Sequence, residues 1–568
     1  MRTISGSAWN PGLESDLPRE YRELETIYRP ENTSTQISEV DEYSEMTGLS
    51  PEDLVVFRPL RLVVHEVIVR ITADIVVLEG EEEEDLGKNF RRIARRILSE
   101  YVYPHMPEIE QAYAELRDRV QALIGEELSQ SLFKEEPTRA RKRFSLSGLL
   151  GRKKPSPIPK ESVHDREVRV ISAYKERGLA AEDPLARAMF KALYRVLGSM
   201  MAKRGYVGSD RALITRLVRD QVCNRYGSAM IGEIVTPYMK EAIEREGYKL
   251  IPNSEKSILI SLKGASAAGK SSLRPMLKRV KGELGIQPDG YGTISPDIWR
   301  RLLLDYESLG EAYKYAGRLT SNEIIIIDSK LDHYFRDKAN RNGSIPHLVV
   351  DRFRFDSFTS EKVARILHGT YVKYVDTMYM YFIITPPEAT VERGWQRGLE
   401  RGRFKAVDDF LDHSVEAYAG MPKILFKWLA YDRPLFKYEF LDNDVPRGTY
   451  PKTIAYGTQN EINIIDPLAL IDIERYQRIN INAKSPEEVY PDASQLSVEK
   501  NAGFLKQCIK KIPKVSFINR VSGAVYLRAN ESTFEIVDAN TFAIVLEDKQ
   551  IAAIFSAIAP RLVAPACG

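Results

Sequence analysis

The chain has 568 residues and a mass of 64.7 kDa, so about two to four domains are expected rather than one core. Hydrophobic residues at 43% and charged residues at 29% exclude a fibrous or disordered chain, and a formal net charge of +2 gives no general attraction to nucleic acid. Three scattered cysteines (Cys223, Cys508 and Cys567) offer neither a disulfide framework nor zinc-ligand spacing.

Residues 1–50 are polar and dotted with Pro, Ser and Thr, and they read as a poorly ordered lead-in. Met1 to Glu20 lacks the apolar core of a signal peptide. The most apolar long stretch, Leu60 to Leu78, is interrupted by Arg61, His65, Glu66, Arg70 and Asp74. No membrane span and a cytoplasmic location are therefore expected. Residues 51–133 carry helical patterning, as in Phe90, Ile93, Ile97 and Tyr101, with a solvated acidic run at Glu81 to Asp85.

Residues 134–166 mix Arg139, Arg141, Lys142, Arg143, Arg152, Lys153 and Lys154 with Ser, Gly and Pro, the composition of a flexible basic linker. A patch for anionic lipid or nucleic acid is the competing reading. Helical patterning resumes over 167–247. Short apolar runs then alternate with amphipathic segments over 248–475, as α/β structure requires. Residues 495–568 suggest a small α+β unit, with strands at Phe517 to Leu527 and Phe534 to Leu546.

Within the α/β region, the strand candidate Ser257 to Leu262 runs into Gly264-Ala265-Ser266-Ala267-Ala268-Gly269-Lys270-Ser271, followed by Ser272 and a helical pattern. This is GxxxxGK[ST] between a strand and a helix, the setting in which inward-turned backbone N–H groups and a helix N-terminus cradle phosphates. Lys270 is expected on the β- and γ-phosphates of ATP and Ser271 on Mg²⁺. A glycine turn with a surface lysine, or binding without chemistry, are the plainer alternatives.

Asp297 follows a short strand and opens Ser295-Pro296-Asp297, at the edge of a parallel sheet where ligands bind. A carboxylate there can accept the proton of an attacking hydroxyl, although an Asp in a first helical turn also stabilises the helix dipole. Arg300 and Arg301 face either substrate phosphate or water. Ile324 to Asp328 imitates an acidic strand end, but Ile324, Ile327, Leu331, Tyr334 and Phe335 repeat with helical spacing, so a buried helix is expected. His347 to Val350 is the better strand, and Asp351 after it is a candidate for Mg²⁺ or acceptor positioning, with a structural ion pair as competitor.

Thr377 to Thr385 is a further strand closed by Pro386-Pro387. Arg393, Arg397 and Arg401 then share one helical stripe and Gly394, Gly398 and Gly402 the next. Guanidinium groups in such an array suit a phosphate-facing lid, and glycines permit close approach or a hinge. A solvated basic helix is the alternative. Phe436 to Leu441 reads as the last strand of the sheet, its following loop available to adenine.

The order of P-loop, Asp297, the Tyr315-Ala-Gly-Arg-Leu319 helix, Asp351 to Arg354, Pro386-Pro387-Glu388, Arg393 and Gly402-Arg403 resembles the zeta-toxin family of P-loop kinases, over Ile251 to Leu441. The resemblance implies an α/β P-loop kinase core with a parallel sheet. It also implies ATP-dependent phosphorylation of a small-molecule hydroxyl, typically on the amino sugar of UDP-N-acetylglucosamine. By position, Lys270 and Ser271 would bind ATP and Mg²⁺ and Asp297 would be the base. Asp351 and Arg354 would match the acceptor motif, and Arg393 and Arg403 would contact phosphates; Arg300 is a further substrate-binding candidate from its place after Asp297, not from the resemblance. The family's usual Glu-Gly-Thr is replaced by Asp351-Arg352-Phe353, which leaves the acceptor open. The resemblance also leaves room for a proteinaceous inhibitor. A nucleoside or polynucleotide kinase, and a nucleotide-gated interaction protein without phosphotransfer, are the other two readings.

Overall fold

Five apolar runs build a parallel core. In the computed structural model, which describes residues 6–82, 84–134, 161–352, 371–530 and 533–563, these runs are β1 (Ser257–Gly264), β2 (Tyr291–Ile294), β3 (His347–Val350), β4 (Val375–Ile384) and β5 (Leu435–Asp442). They lie in the order β2-β3-β1-β4-β5, every neighbouring pair parallel. β1 and β4 are buried along almost their whole length, which is why they read as continuous apolar runs and not as alternation.

β5 is not the last strand. β6 (Lys452–Thr458) and β7 (Glu461–Ile464) continue the sheet antiparallel, β8 (Lys514–Ile518) joins β7 in parallel, and β9 (Val525–Asn530) and β10 (Thr533–Ile536) complete ten strands. The C-terminal strands thus extend the same sheet as the phosphate-loop strand. Within Phe517 to Leu527 the chain turns, with Gly523 at φ 70°. The expected strand Phe534 to Leu546 ends at Ile536, because Asp538 caps a helix over Ala539–Val545 by accepting from the Asn540 and Thr541 amides.

The helices that flank the site are α1 (Arg274–Glu283), α2 (Ser321–Asn342), α3 (Pro387–Arg401), α4 (Val407–Leu429) and α5 (Pro467–Arg475). In α2, Ile324, Ile327, Leu331, Phe335 and Ala339 form the buried face, as their spacing predicts, and Gly343 closes the helix at φ 70°. α3 packs on α4 through its glycine stripe. The Gly394 position abuts the Phe410 ring and the Gly398 position abuts Phe404, each so closely that a Cβ would overlap the ring.

The chain divides into two compact units. One comprises Met1–Arg22, Ile68–Arg95 and Glu246–Gly568 and contains the sheet; the other comprises Glu23–Val67 and Arg96–Arg245. The second unit is helical. Met106–Gln130, Val163–Ala180, Pro184–Arg204 and Arg211–Val222 bury apolar faces that include Ile124, Leu193, Val196, Leu197 and Ile214. Its helix starts are capped by Ser162, Asp183 and Asp210, each accepting a backbone N–H. Residues 135–160 of the expected basic linker lie outside the described residues.

The sheet-bearing unit is discontinuous in sequence. Ala8 and Trp9 pack with Val391, Trp395, Phe410 and the phosphate-loop residue Ala267, and the Trp9 indole N–H donates to Glu392 at 2.8 Å. Farther along, Lys314 Nζ donates to the Pro11 carbonyl at 2.5 Å and the Glu14 amide to the Tyr315 hydroxyl at 3.2 Å. This part of the polar lead-in carries no periodicity of its own, so its order comes from partners distant in sequence. In the 68–95 segment, Asp74 accepts from Tyr334 at 2.6 Å and from Lys338 at 2.7 Å, and Glu79 pairs with Lys281 at 3.1 Å.

Gly394→Ala tests whether the glycine stripe is a packing device. The overlap with Phe410 should lower stability by about 1–3 kcal/mol, measured by urea unfolding. A neutral effect would favour solvent-facing or hinge glycines.

Candidate functional site

The polar residues singled out in sequence converge because parallel strands end together. The register aligns Ser261 of β1 with Val350 of β3, Ile294 of β2 with Val350, Gly264 of β1 with Ile383 of β4, and Ile384 with Asp442 of β5. Gly264, Asp297, Asp351, Thr385 and Asn443 all follow or close those strands. They share the C-terminal edge where α/β sheets bind ligands.

The phosphate loop is strained into shape. Ala267 is the one non-glycine residue with positive φ among the described residues, at 60°, and Gly269 follows at 94°. Such alternation turns successive N–H groups toward one concavity, an anion-binding nest. Two bonds hold it: the Ala268 carbonyl accepts from Thr385 Oγ1 at 3.0 Å and from Asn443 Nδ2 at 2.7 Å. Lys270 Nζ folds over the loop and donates to the Gly264 and Ala265 carbonyls, both at 3.0 Å. Burial lowers its pKa, against the pull of Asp351 and Asp297. The backbone of Ser271–Leu273 forms a 3₁₀ turn before α1, and the Ser271 side chain lies outside the described residues.

Asp297 sits in the turn Pro296–Trp299, anchored by the fully buried Trp299. Its Oδ1 accepts from Arg300 Nε at 2.8 Å and its Oδ2 pairs with Arg403. The side chain keeps 41% of its surface accessible, within a crowded cleft. Burial works to raise its pKa, but Arg403 and Arg300 overcome that and hold the carboxyl well below the usual carboxylate range. Arg300 is spoken for on its other side, donating to Thr320 Oγ1 at 2.6 Å and to the Gly317 carbonyl. It braces Asp297 against the short helix Ala316–Leu319.

Asp351 follows β3, with its amide donating to the Ile294 carbonyl at 2.9 Å. Burial raises its pKa, Lys270 opposes this and Asp297 adds to it. The next residue, Arg352, turns to α2, where it meets Asp332 at 2.7 Å and Asp328 at 3.1 Å. Asp328 is thus on the helix that its spacing predicts, in an ion pair. Arg354 lies outside the described residues.

The arginine stripe fans out. Arg393 donates to the Asn443 carbonyl at 2.9 Å and the Val445 carbonyl at 3.3 Å, beside the phosphate loop. Arg397 lies over the Phe410 ring at 5.9 Å, and its charge is felt at Lys270. Arg401 pairs with Glu84 at 3.5 Å, away from these two. Gly402, at φ 66°, then reverses the chain and sends Arg403 to Asp297. Close packing on Phe410 and Phe404 explains Gly394 and Gly398, and left-handed backbone explains Gly402.

Thr385, Asn443 and Lys263 escape motif reading. Thr385 and Asn443 carry no motif, although each stands directly after an apolar run. Lys263 had a sequence signal, a lysine inside an apolar strand: it is 1% exposed, and burial with Arg352 and Lys270 nearby lowers its pKa strongly. The loop after β5, considered for adenine, carries Tyr450, whose ring lies 5.5 Å from the Arg279 guanidinium of α1.

No protein-family model matches the chain, and no curated protein matches it. Among solved structures, it is similar to the AvrRxo1-ORF1:AvrRxo1-ORF2 complex with sulphate ions, at 15% identity over 48% of this chain and 74% of that one, TM-score 0.29. The same complex with ATP gives the same identity, coverage and score. A chain of the PezAT chromosomal toxin–antitoxin system of Streptococcus pneumoniae matches at 15% identity over 38% of this chain and 78% of that one, TM-score 0.25. These likenesses are distant, and the chemistry of the site stands on its own residues. No helix among the described residues is long and apolar enough to cross a membrane.

Arg403→Met checks the electrostatics. With one guanidinium gone, the Asp297 carboxyl should titrate at higher pH in ¹³C NMR. A depressed pKa gives stability that is full above the unfolded carboxylate value of about 3.9 and is lost as pH falls below it. The stability deficit of the variant should therefore shrink from pH 6 to pH 3. An unchanged Asp297 midpoint would refute the pairing.

Proposed function

We propose that the sheet-bearing unit is an ATP-dependent kinase that transfers the γ-phosphate to a hydroxyl of a small molecule. The observation that carries this reading is Asp297, kept ionised by Arg403 and Arg300 beside the glycine loop and Lys270. A loop that only bound nucleotide has no need of a carboxylate held in that state. Phosphoryl transfer has a loose transition state, so the acidic residue chiefly orients the attacking hydroxyl and takes its proton late. A carboxylate of low basicity suits that task.

In this proposal Gly264 to Ser272 cradle the triphosphate, Lys270 leaves the loop carbonyls for the β- and γ-oxygens, and Arg393 and Arg403 offset charge on the transferring group. Arg403 would exchange part of its bond to Asp297 for phosphate as the acceptor hydroxyl arrives. Arg300, bonded to Asp297 and to Thr320, would position the carboxylate. Asp351 and Arg354 form the acceptor side. Mg²⁺ fits the donor chemistry of Ser271, the nucleotide phosphates and the Asp351 carboxylate, and when bound it would neutralise charge between the β- and γ-phosphates. A sugar nucleotide such as UDP-N-acetylglucosamine is the narrower acceptor proposed, and a proteinaceous inhibitor the proposed partner.

Asp297→Asn should keep ATP affinity within a few-fold and lower phosphotransfer by about 10²–10⁴. The assay is incubation of the full chain with labelled ATP and a metabolite extract, read by mass spectrometry, then repeated with UDP-N-acetylglucosamine alone. Full transfer by the variant sinks the role of Asp297. Label found solely on the protein, or nowhere, sinks the small-molecule kinase.

A further inference from the structure

The turn between α3 and α4 holds a second polar cluster that phosphoryl transfer as described leaves unused. Two residues after Arg403, Lys405 returns to the start of α4, where its Nζ donates to the Asp409 carbonyl at 3.1 Å. The same nitrogen touches Nδ1 of His413 and lies 3.2 Å from Nε2. The Phe410 ring lies 5.6 Å away. An ammonium beside an imidazole disfavours the imidazolium, so Lys405 and His413 are not charged together.

Charged groups face this pair from every side. Asp409, Asp412 and Glu416 come from α4, Arg397 from α3, Arg318 from the helix Ala316–Leu319, and Lys270 from the phosphate loop. Burial brings Lys405 down to about 7, with Asp409 opposing and Arg397 adding to the shift. Burial and Lys405 itself take His413 to about 2, so the proton that exchanges near neutral pH belongs to the amine. The neighbouring cleft carries Lys270, Arg300, Arg397 and Arg403 against Asp297 and Asp351, a surplus of positive charge.

We propose that Lys405, held against His413, is a proton-linked cation of the nucleotide site: binding of ATP at the phosphate loop is accompanied by uptake of one proton from solvent onto the Lys405 amine. This rests on the nucleotide-binding reading of the loop. The triphosphate reverses the local field, so the charge that the cationic cleft disfavours on Lys405 becomes favourable. The outcome is a site whose affinity falls as the medium turns alkaline.

The experiment is calorimetric titration of the full chain with MgATP at pH 7.5 in buffers of different ionisation enthalpy, together with the dissociation constant from pH 7 to 9. The triphosphate is fully ionised there and adds no titration of its own. The wild type should show buffer-dependent heat equal to about one proton taken up. Its dissociation constant should rise by up to about tenfold per pH unit over part of that range. Lys405→Arg, permanently charged, and Lys405→Met, never charged, should both bind ATP with no such proton uptake, once thermal melts show that they are folded. Heat independent of buffer in the wild type, or equal uptake in both variants, overturns the proposal while leaving nucleotide binding intact. Absence of any ATP binding by the wild type overturns the nucleotide-binding reading and this inference with it.

Discussion

The carbonyl of Ala268 accepts from Thr385 and from Asn443, and the phosphate loop owes its shape to those two bonds. Ala267 and Gly269 on either side occupy left-handed backbone, a conformation that costs a residue with a side chain about 1–3 kcal/mol and persists where surroundings impose it. The donors sit at the ends of β4 and β5, so the loop inherits the rigidity of a parallel sheet. The same edge delivers Asp297 from β2 and Asp351 from β3. Arg393 joins the scheme through the Asn443 carbonyl, which makes one asparagine the meeting point of loop, sheet and arginine helix.

Charge governs the rest of the cleft. Crowding in the cleft works toward the neutral form of the partly accessible Asp297, yet Arg403 and Arg300 outweigh it. Asp351 moves the other way, because burial, with Asp297 nearby, outweighs the opposing pull of Lys270. Two carboxylates of one cleft are thereby separated in acid strength, the arrangement that divides labour between acidic groups in active sites. Arg300, Arg352 and Arg401 spend their charge on Asp297, the α2 acids and Glu84 respectively. A basic segment therefore resolves into structural and site-facing members, distinguishable by the partner each one finds.

The sheet-bearing unit is assembled from three stretches of chain. Trp9 and Ala8 reach Ala267 and α3, while Asp74 and Glu79 tie the 68–95 segment to α2 and α1. Contacts of this kind join residues hundreds of positions apart and close long loops, so they form late relative to local helices. The P-loop core is in this sense completed by segments that no motif marks.

The turn of Gly264 to Ser271 between a strand and a helix, the α/β class, the helical nature of Ile324 to Asp328 and the strand before Asp351 could all be read from residue order, because glycine placement, apolar runs and the 3.6-residue period are local signals. The apparent end of the sheet at β5 and the strand expected over Phe534 to Leu546 could not. Strand pairing is non-local, and a cap at Asp538 outweighs the apolar character of the residues after it. Nor does spacing reveal that Arg393, Arg397 and Arg401 diverge, that Gly394 and Gly398 admit Phe410 and Phe404, or that Lys405 meets His413 eight positions on. Those outcomes depend on which surfaces come together around α3 and α4, since the energy of a charge or of an absent methyl is set by what lies across from it.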